Sequence, residues 1–473
     1  MDSKNIDQEP EPNEEEILDQ HKHLTLNDVR IDEKSIGFSK ENLEYLKSDM
    51  TWKELGLDDA LIDVLMQKGF KKPSKVQSSC IRASKKNSVA IQAQNGSGKT
   101  LAFLIPCIMQ LDTKIKGSNE YGVAAPQVII LGDTKALILQ IHKILHNLVN
   151  NYKVITTDYL FGGKKDLSSD CQLLLSTVAQ LKNSLAKKLI DIKNIKLIII
   201  DEADSVFDSD VGKNYFMSFI VKLQSTNNFK IIFTSATVTD NSKQVISKVQ
   251  AKHNIVVLEL PKEQLTLKNV FQYLVKHKTL SQKMEMLDLL MQKVNAQNIL
   301  IFANTKTMLE NLKEHLLQLN YKVGYIYKSG DELGGLDSAE FVQKQITDFL
   351  AGKYRILLTT NLLSRGIDMR KVTLVINFDL PVKMHKEDDK MMKEVDVETY
   401  LHRVGRTGRF GDQGIALNFV HEIYEKNMIE AIQDFYKNDI KEINANDIEN
   451  LNKILEEISQ VNQEKREYLE ENI

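Results

Sequence analysis

The glycine-rich segment AQNGSGKT, residues 93–100, combines residue types that bind phosphate groups. Gly96 and Gly98 allow the backbone amides to turn toward phosphate oxygens. Lys99 can reach the β- and γ-phosphates of a nucleotide, and the Thr100 hydroxyl can bind Mg²⁺. The apolar run VAIQA precedes the segment and a helical pattern follows it, so a helix N-terminus would add a favourable dipole. A glycine-rich turn with an incidental lysine is the weaker alternative, because phosphate-binding loops occur in this strand, loop and helix order.

The segment LIIIDEADSV places three carboxylates directly after a strongly apolar run. Carboxylates in such a position cannot be buried without a cation or a hydrogen-bonding partner. Downstream of a phosphate-binding loop, Asp201 is the expected metal ligand, and Glu202 is placed to orient or deprotonate an attacking water. A helix N-cap with acidic first-turn residues is the alternative, and it would be a serious one if the segment stood alone.

The segment HRVGRTGRFG, residues 402–411, sets Arg403, Arg406 and Arg409 three residues apart. Arginines at that spacing could share one side of a helix and hold an anion. The alternative is a basic surface helix that contacts solvent or RNA, which is a reasonable interpretation for Arg403 and less so for the other two.

Composition and net charge exclude or disfavour several classes of protein. The length of 473 residues suggests two or three domains, and a net charge of −3 argues against a purely electrostatic DNA-binding protein. The three cysteines include no C-x-x-C pair, which disfavours a disulfide framework or a zinc cluster and favours a reducing compartment. No apolar run reaches membrane-spanning length, and the acidic N-terminus is unlike a signal peptide. We therefore expect no membrane association.

The elements that must position these motifs form two similar series. Residues 1–47 lack sustained periodicity and predict an acidic, mostly disordered arm. Short β-rich apolar runs then alternate with helical patterns over 48–258 and again over 270–473, with 259–269 as the linker. This alternation is typical of α/β domains with parallel sheets flanked by helices. A last helical pattern from Ile448 predicts a terminal helix that docks on the second domain.

Five motifs in order resemble the DEAD-box RNA helicases. They are the phosphate-binding loop, DEAD at 201–204, SAT at 235–237, TTNLLSRGID at 359–368 and HRVGRTGRFG at 402–411. The resemblance extends from residue 51 to the C-terminus. It implies two tandem RecA-like domains that bind ATP with Mg²⁺ in the cleft between them and single-stranded or short duplex RNA across both.

The resemblance also implies roles for individual residues. In GFKKPSKVQ, Phe70 would stack near the base and Gln77 would read the adenine edge; Trp52 stands where the family usually has Phe. The other implied ATP contacts come from Gly96, Ser97, Gly98, Lys99, Thr100 and, on the ribose hydroxyls, Asp368. The implied magnesium ligands are Thr100 and Asp201. The implied catalytic residues are Lys99, Glu202, His402, Arg406 and Arg409, with the last two arginines facing the γ-phosphate from the second domain. Coupling between domains would involve Asp204, Ser235 and Thr237, with His402 bridging to the acidic motif.

Two RNA-facing elements of the first domain depart from the family pattern. The family's P-T-R-E-L-A is DTKALI at 133–138, and its T-P-G-R is TVAQ at 177–180. Lys135 and Gln180 replace arginines, and Asp133 replaces a proline, so phosphate pairing is weakened. The implied RNA contacts are Thr134, Lys135, Gly163, Thr177, Thr359 and Gly366. We therefore expect a weaker or more partner-dependent RNA clamp than in a typical relative.

Three stretches resemble the nuclear-pore-associated helicases of mRNA export: LTLKNVFQYLV, the insertion at 383–396, and the segment from DQGIALNFV onward. The implied function is unwinding of short duplexes or remodelling of ribonucleoprotein in mRNA export. The implied partners of the monomer are a nucleoporin and an inositol-hexakisphosphate-dependent activator, and the implied location is cytoplasm and nucleus, including the cytoplasmic face of the pore.

Three alternatives stay open. A degenerate helicase could act as a nucleotide-dependent RNA-binding scaffold, although the four residues Lys99, Glu202, Arg406 and Arg409 favour turnover. A translation-initiation-type helicase would continue from FDLP without the insertion. A DNA translocase is disfavoured by GFKKPSKVQ and the DEAD tetrad. The insertion itself is predicted to be a solvated surface loop, with partner binding as its minor alternative.

Overall fold

The computed structural model contains two parallel sheets in series. It describes residues 30–31, 50–93, 97–152, 154–160, 167–224, 228–237, 239–259, 269–327, 338–361, 369, 372–387, 390–408, 412–436, 439–444 and 447–471. The first sheet has eight strands in the order β1-β8-β2-β7-β6-β3-β5-β4. These strands are β1 Arg30–Ile31, β2 Ser88–Gln92, β3 Val128–Gly132, β4 Thr157–Leu160, β5 Leu173–Thr177, β6 Leu197–Ile200, β7 Lys230–Ser235 and β8 Ile255–Glu259.

Helices cover both faces of the first sheet. They are α1 Asp59–Gln67, α2 Lys75–Ser84, α3 Lys99–Met109, α4 Lys135–Val149, α5 Val178–Ala186, α6 Ala203–Val206, α7 Asp210–Gln224 and α8 Asp240–Gln250. Successive residues of β6 enter opposite cores, because Leu197 and Ile199 pack with α2 to α4 while Ile198 and Ile200 pack with α5, α7 and α8. Burial on both faces explains why these strands are continuously apolar rather than alternating.

The second sheet has seven strands in the order β11-β12-β10-β13-β16-β9-β17, and a two-stranded hairpin, β14–β15, lies apart from it. The strands of the second half are β9 Val270–His277, β10 Ile299–Phe302, β11 Val323–Ile326, β12 Ile356–Thr359, β13 Leu374–Asn377, β14 Val382–Glu387, β15 Lys390–Val395, β16 Gly414–His421 and β17 Lys441–Glu442. Its helices are α9 Leu280–Lys293, α10 Lys306–Gln318, α11 Ser338–Leu350, α12 Val397–Val404, α13 Lys426–Tyr436 and α14 Ile448–Glu471.

The predicted α/β architecture with two tandem parallel-sheet domains is confirmed. As its spacing predicts, α14 packs on the second half through Ile448, Leu451 and Leu455. No helix in the described ranges is long and apolar enough to span a membrane. The domain limits themselves stay predictions, and residues 260–268 of the predicted linker lie outside the described residues.

Two stretches differ in detail from the sequence interpretation. Arg30 and Ile31, within the predicted arm, pair antiparallel with Glu259 and Leu258 and add β1 to the sheet edge; the rest of 1–47 lies outside the described residues. The insertion at 383–396 was predicted to be a loop, and this was wrong, because β14 and β15 pair over six residue positions. A cross-strand ion pair of 2.9 Å between Lys383 and Glu394 helps to explain how so charged a segment forms strands.

The strand order brings distant motifs to one edge. In a parallel sheet the carboxyl ends of all strands meet at the same edge, where ligands bind. β2, β7 and β6 are neighbours, so the phosphate-binding loop, the SAT segment and the acidic segment, which follow or end these strands, lie side by side.

Candidate active site

The phosphate-binding loop leaves β2 and enters α3 at Gly98. Gly98 is the N-cap of α3 and has φ = 93°, a left-handed conformation that favours glycine. The Lys99 side chain is buried and its Nζ donates a hydrogen bond to the Ala93 carbonyl, across the base of the loop. Within the described ranges the buried Ser97 Oγ has no hydrogen-bond partner. Gly96 lies outside the described residues.

The segment GFKKPSKVQ is hydrogen-bonded to this loop. Ser74 and Gln77 form a capping box at the start of α2, in which Gln77 Oε1 accepts from the Ser74 amide at 2.8 Å. Gln77 Nε2 donates to the Gly98 carbonyl at 3.3 Å, and Ser74 Oγ donates to the Ser97 carbonyl at 3.3 Å. Both ends of the Gln77 amide are therefore bound to protein here, and its adenine contact stays a prediction.

Phe70 and Trp52 support the same segment. Trp52 is buried in the first core and donates from Nε1 to the Phe70 carbonyl at 2.7 Å. The Phe70 ring is partly buried and packs against that core. The tryptophan at this position thus fixes the backbone that presents Phe70, whose contact with a base stays a prediction.

The acidic segment is buried at the carboxyl end of β6. Asp201 Oδ1 accepts from Thr234 Oγ1 and from the Glu202 amide at 3.1 Å. Burial raises the pKa of Asp201 to about 7, and repulsion from Glu202 adds to the rise, while the Thr234 hydrogen bond and Lys99 oppose it. Sequence reasoning missed Thr234; its signal was a polar residue next to SAT in an otherwise apolar strand.

Glu202 is held in an unusual conformation. Its φ is 52°, in the left-handed region that residues other than glycine seldom adopt. The side chain is buried, and its Oε2 has no hydrogen-bond partner in the described part of the chain. Backbone strain of this kind costs about 1–3 kcal/mol and is typical of functional sites. A buried carboxylate oxygen that lacks a partner can accept a hydrogen bond from a bound water.

Asp204 joins the two halves of the molecule. Its Oδ2 accepts from Thr237 Oγ1 at 2.6 Å and lies 3.4 Å from Nε2 of His402, whose side chain is fully buried. Ser235 Oγ completes the group by donating to the Thr237 carbonyl. The structure therefore brings together the four residues that the sequence assigned to coupling between domains.

Arg403 and Arg406 do not share one helix, so the expectation that the arginines lie along one side of a helix was wrong. α12 ends at Val404 with Gly405 as its C-cap, which leaves Arg406 in the turn beyond the helix. Arg406 is fully buried, and its Nε donates to the His402 carbonyl at 2.9 Å. Arg409 lies outside the described residues, as does Asp368.

Arg403 is fully buried, so its interpretation as a surface arginine was also wrong. Its guanidinium reaches the carboxyl edge of the second sheet and donates to the side chains of Asn304, Asn361 and Asn377 and to the Asp379 carbonyl. Sequence reasoning missed these acceptors, although each stands at or just after the end of an apolar strand, where polar side chains of a parallel sheet gather.

Several of the side chains that were predicted to contact RNA are bonded within the protein or buried. Thr134 and Thr177 cap helices, accepting from the amides of Leu137 at 3.2 Å and Gln180 at 3.4 Å. Thr359 is fully buried and donates to the Thr360 carbonyl at 3.0 Å. In this conformation a direct contact between the Thr359 side chain and RNA is not available. Lys135 is half-exposed, and Gly163 and Gly366 lie outside the described residues.

Comparison with known proteins extends over both sheets. Residues 74–245 match the family "DEAD/DEAH box helicase", and residues 282–411 match "Helicase conserved C-terminal domain". The ATP-dependent RNA helicase DDX25 of Xenopus laevis is 30% identical over 93% of this chain and 88% of its own length. The ATP-dependent RNA helicase eIF4A of Kluyveromyces lactis is 31% identical over 87% and 96%. The chain belongs to the DEAD-box helicases.

The solved structures agree with this assignment. S. cerevisiae Dbp5 bound to RNA and ADP BeF3 superposes with a TM-score of 0.74 at 26% identity, over 86% of this helicase and 99% of that chain. As a member of the family, this protein is an ATP-hydrolysing RNA helicase.

The site of this DEAD-box helicase fits a magnesium nucleotide. Among the described residues, the Ser97 hydroxyl and Glu202 Oε2 have no hydrogen-bond partner. The hydroxyl can donate to a phosphate oxygen, and the carboxylate oxygen can accept from a bound water. Asp201 and Thr100 offer the hard oxygen ligands that Mg²⁺ prefers, and a divalent cation would offset the cost of burying the Asp201 charge. The donor set and the unsatisfied polar atoms are therefore those that Mg²⁺ and phosphate groups require.

The close contact between Gly98 and Gln77 gives a prediction. A Cβ atom on Gly98 would lie 2.6 Å from Gln77 Nε2, which is held by the capping box and by Gly98 itself. We expect Gly98→Ala to displace Gln77 and to weaken nucleotide binding about tenfold or more, measured by titration with a fluorescent ATP analogue.

Gly352→Ala is the matched control. Gly352 has φ = 76° and open space around its Cβ position, so it incurs the same backbone cost, about 1 kcal/mol, far from the loop. We expect the control to lose stability but to bind nucleotide normally. Equal nucleotide affinity in the two variants would show that the Gly98–Gln77 contact does not shape the site.

Proposed function

We propose that this helicase is an RNA-dependent ATPase that remodels ribonucleoprotein in mRNA export, at the cytoplasmic face of the nuclear pore. The observation that carries the proposal is the likeness to Dbp5 bound to RNA and ADP BeF3, which extends over both sheets together. The ATP-dependent RNA helicase DDX19B of Homo sapiens, 30% identical over 86% of this chain, adds support.

The geometry of the described residues suggests how ATP would be held. Lys99 Nζ would exchange the Ala93 carbonyl for β- and γ-phosphate oxygens, because a charged acceptor forms the stronger hydrogen bond. Thr100 and Asp201 would hold Mg²⁺, which when bound neutralises charge on the phosphates. Phe70 and Gln77 would bind the adenine, and Asp368 the ribose hydroxyls.

Hydrolysis would use groups from both halves. Glu202 would orient the attacking water through its partner-free Oε2 and accept a proton from it. Arg406 and Arg409 would stabilise the charge that develops on the γ-phosphate, a contribution on the order of 10³–10⁵ in rate for an arginine supplied across a cleft. Arg406 donates to the carbonyl of His402, which contacts Asp204 of the first half. Turnover would therefore depend on closure of the two halves, and RNA bound across both would favour closure.

The proposed partners follow the same branch. A point variant of S. cerevisiae Dbp5 has been solved bound to a point variant of gle1 and to ip6, and it superposes on this chain with a TM-score of 0.65 at 26% identity. We propose that this helicase, as a monomer in cytoplasm and nucleus, likewise responds to an inositol-hexakisphosphate-dependent activator and binds a nucleoporin.

A translation-initiation-type helicase is the second candidate. It is favoured by the 31% identity to eIF4A of Kluyveromyces lactis. The β14–β15 hairpin, which lies at the insertion that separates the two branches, argues against it. A nucleotide-dependent scaffold is less consistent with the site, because a protein that only binds has no use for a strained Glu202 beside the phosphate-binding loop.

The role of Glu202 gives a direct prediction. We expect Glu202→Gln to retain ATP binding but to lower RNA-stimulated ATP turnover by about 10² or more, because the amide cannot accept the water proton. Asp208→Asn, an exposed position in the turn after α6, is the control and should turn over ATP normally. Parental turnover in Glu202→Gln would rule out the water-orienting role.

The RNA-facing surface of the first half carries an unfavourable charge. Asp133 is exposed, and its Oδ2 accepts from Ser205 Oγ at 2.6 Å, next to the acidic segment. We expect Asp133→Asn to keep this hydrogen bond but to remove the repulsion of RNA phosphates. Binding of single-stranded RNA should tighten about two- to tenfold at low salt, and the gain should shrink as salt rises.

Asp63→Asn is the control for charge. Asp63 is an exposed residue of α1. Asp63→Asn therefore changes the net charge by the same amount as Asp133→Asn, but away from the predicted RNA-facing surface. If both variants tighten RNA binding by the same factor, the effect belongs to net charge and the proposed RNA surface is misplaced.

The export role is tested by partner dependence. We expect ATP turnover at limiting RNA to rise several-fold with a Gle1-type activator only when inositol hexakisphosphate is present, and depletion of the helicase to trap poly(A) RNA in the nucleus. Depletion that lowers translation and leaves poly(A) RNA in place would instead favour the initiation-type function.

A further inference from the structure

Arg403 is the fully buried centre of a polar cluster in the second half that extends to Asn361 at the surface. Its Nε donates to Asn361 Oδ1 at 2.9 Å, and its Nη2 donates to Asn304 Oδ1 at 2.7 Å. Its Nη1 donates to the Asp379 carbonyl at 2.7 Å and to Asn377 Oδ1 at 3.3 Å. The guanidinium also lies 5.1 Å from the centre of the Phe302 ring. One side chain of α12 is thereby bonded to segments that end β10, β12 and β13.

Among the described residues, the hydrogen-bond acceptors of the Arg403 guanidinium are amide and backbone carbonyl oxygens. The Asp379 side chain is bonded to Lys283 at 2.8 Å rather than to Arg403. Burial lowers the pKa of the Arg403 guanidinium to about 9, and the nearby carboxylates of Asp379 and Asp396 oppose this shift. The charge is therefore stabilised by direct hydrogen bonds to neutral oxygens and, at longer range, by these two carboxylates. The hydrogen bonds depend on the planar fork of arginine, which lysine cannot reproduce.

Arg403 lies between the two residues that the second half sends to the active site. His402 precedes it and approaches Asp204, while Arg406 follows three residues later and donates to the His402 carbonyl at 2.9 Å. Tyr400, Leu401 and Val404 of α12 pack in an apolar core of the second half, so packing holds one side of this helix. The hydrogen bonds of Arg403 hold the polar side and thereby help to fix the directions of His402 and Arg406.

Asn361 connects the cluster to a second segment. It lies two residues after the end of β12 and accepts two hydrogen bonds from Arg403, from Nε and from Nη2. It also begins the stretch NLLSRGID, which carries the predicted RNA contact Gly366 and the predicted ribose contact Asp368. If this stretch shifts when RNA binds, the side-chain amide of Asn361 would move with it, and its hydrogen bonds to Arg403 would change.

We propose that Arg403 is a positioning residue that couples the segment after β12, through Asn361, to His402 and Arg406. In this way the second half would transmit RNA binding to the hydrolysis site. The proposal rests on the proposed function, because it assumes that Arg406 stabilises charge on the γ-phosphate.

The test compares Arg403→Lys with the parental full-length chain. We expect RNA-saturated kcat to fall about tenfold to a hundredfold, the loss typical of small misplacements at an active site, with the KM for ATP nearly unchanged. The decisive readout is the ratio of kcat with and without single-stranded RNA, which should fall at least threefold. A loss of folded protein alone would lower both rates equally and leave this ratio unchanged.

Arg355→Lys is the matched control. Arg355 is half-buried and donates to the carbonyls of Ala296, Met291 and Val294 at the opposite edge of the same sheet. Its variant loses the same kind of fork bonding, so it should lower thermal stability while keeping the RNA stimulation ratio. An equal fall of the ratio in both variants would overturn the proposal.

Two further variants keep the test decisive. Asn361→Ala leaves the arginine in place, and it should lower the ratio in the same direction. Adding Asn361→Asp to Arg403→Lys gives the shorter lysine a charged acceptor, and it should restore part of the ratio. A parental ratio in Asn361→Ala, or no rescue in the double variant, would contradict the coupling route.

Arg406→Ala distinguishes failure of the proposed hydrolysis mechanism from failure of the positioning role of Arg403. If this variant hydrolyses ATP at the parental rate, the proposed hydrolysis mechanism fails. If it loses turnover while Arg403→Lys keeps both kcat and the stimulation ratio, the positioning role of Arg403 fails alone.

Discussion

Ionisable groups buried where the two sheets meet impose the main constraint on this molecule. Asp204 and His402 are both fully buried and lie 3.4 Å apart, one from each half. A buried carboxylate is costly unless it has hydrogen-bonding or charged partners. Thr237 supplies one such partner from the first half, and the imidazole supplies the other from the second. The stable state of the acidic segment therefore includes the second half, which ties the hydrolysis site to the relative position of the two sheets.

Strand order explains how residues far apart in sequence reach this place. The neighbours β2, β7 and β6 bring the phosphate-binding loop, the SAT segment and the acidic segment to one edge, although β2 begins at Ser88 and β7 only at Lys230. The second sheet uses the same rule. Asn377 ends β13, and Asn304 and Asn361 lie two residues beyond β10 and β12, which are its neighbours in the order β12-β10-β13. The grouping of polar residues at one edge of each sheet is thus a consequence of parallel strand pairing. The helices mainly cover the faces of the sheets.

The sequence predicted the two sheets, and it located the motifs of the proposed ATP site, because both rest on local patterns. Continuous apolar runs such as LIII require burial on both faces, and a strand followed by GSGKT is typical of a phosphate-binding loop. The prediction failed where a residue's role depends on its partner. The spacing of the three arginines suggested one helix face, but Gly405 ends α12 and separates Arg406 from Arg403. Nothing in the sequence around Arg403 indicates that three asparagines from other strands will accept its hydrogen bonds, and so it resembled a surface residue.

The two halves share a further arrangement that the motifs alone do not reveal. In the first, Asp133, directly after β3, accepts a hydrogen bond from Ser205 on α6, the helix that contains Asp204. In the second, Asn361, two residues after β12, accepts from Arg403 on α12, the helix that contains His402. Each bond joins a segment at the predicted RNA surface to the helix that supplies one side of the Asp204–His402 contact. Since Asp133 stands where the family has proline, which has no side-chain acceptor, the first of these links belongs to this chain's departure from the family pattern. The substitution that we expect to weaken the attraction for RNA therefore also adds a connection from that predicted surface to the acidic segment.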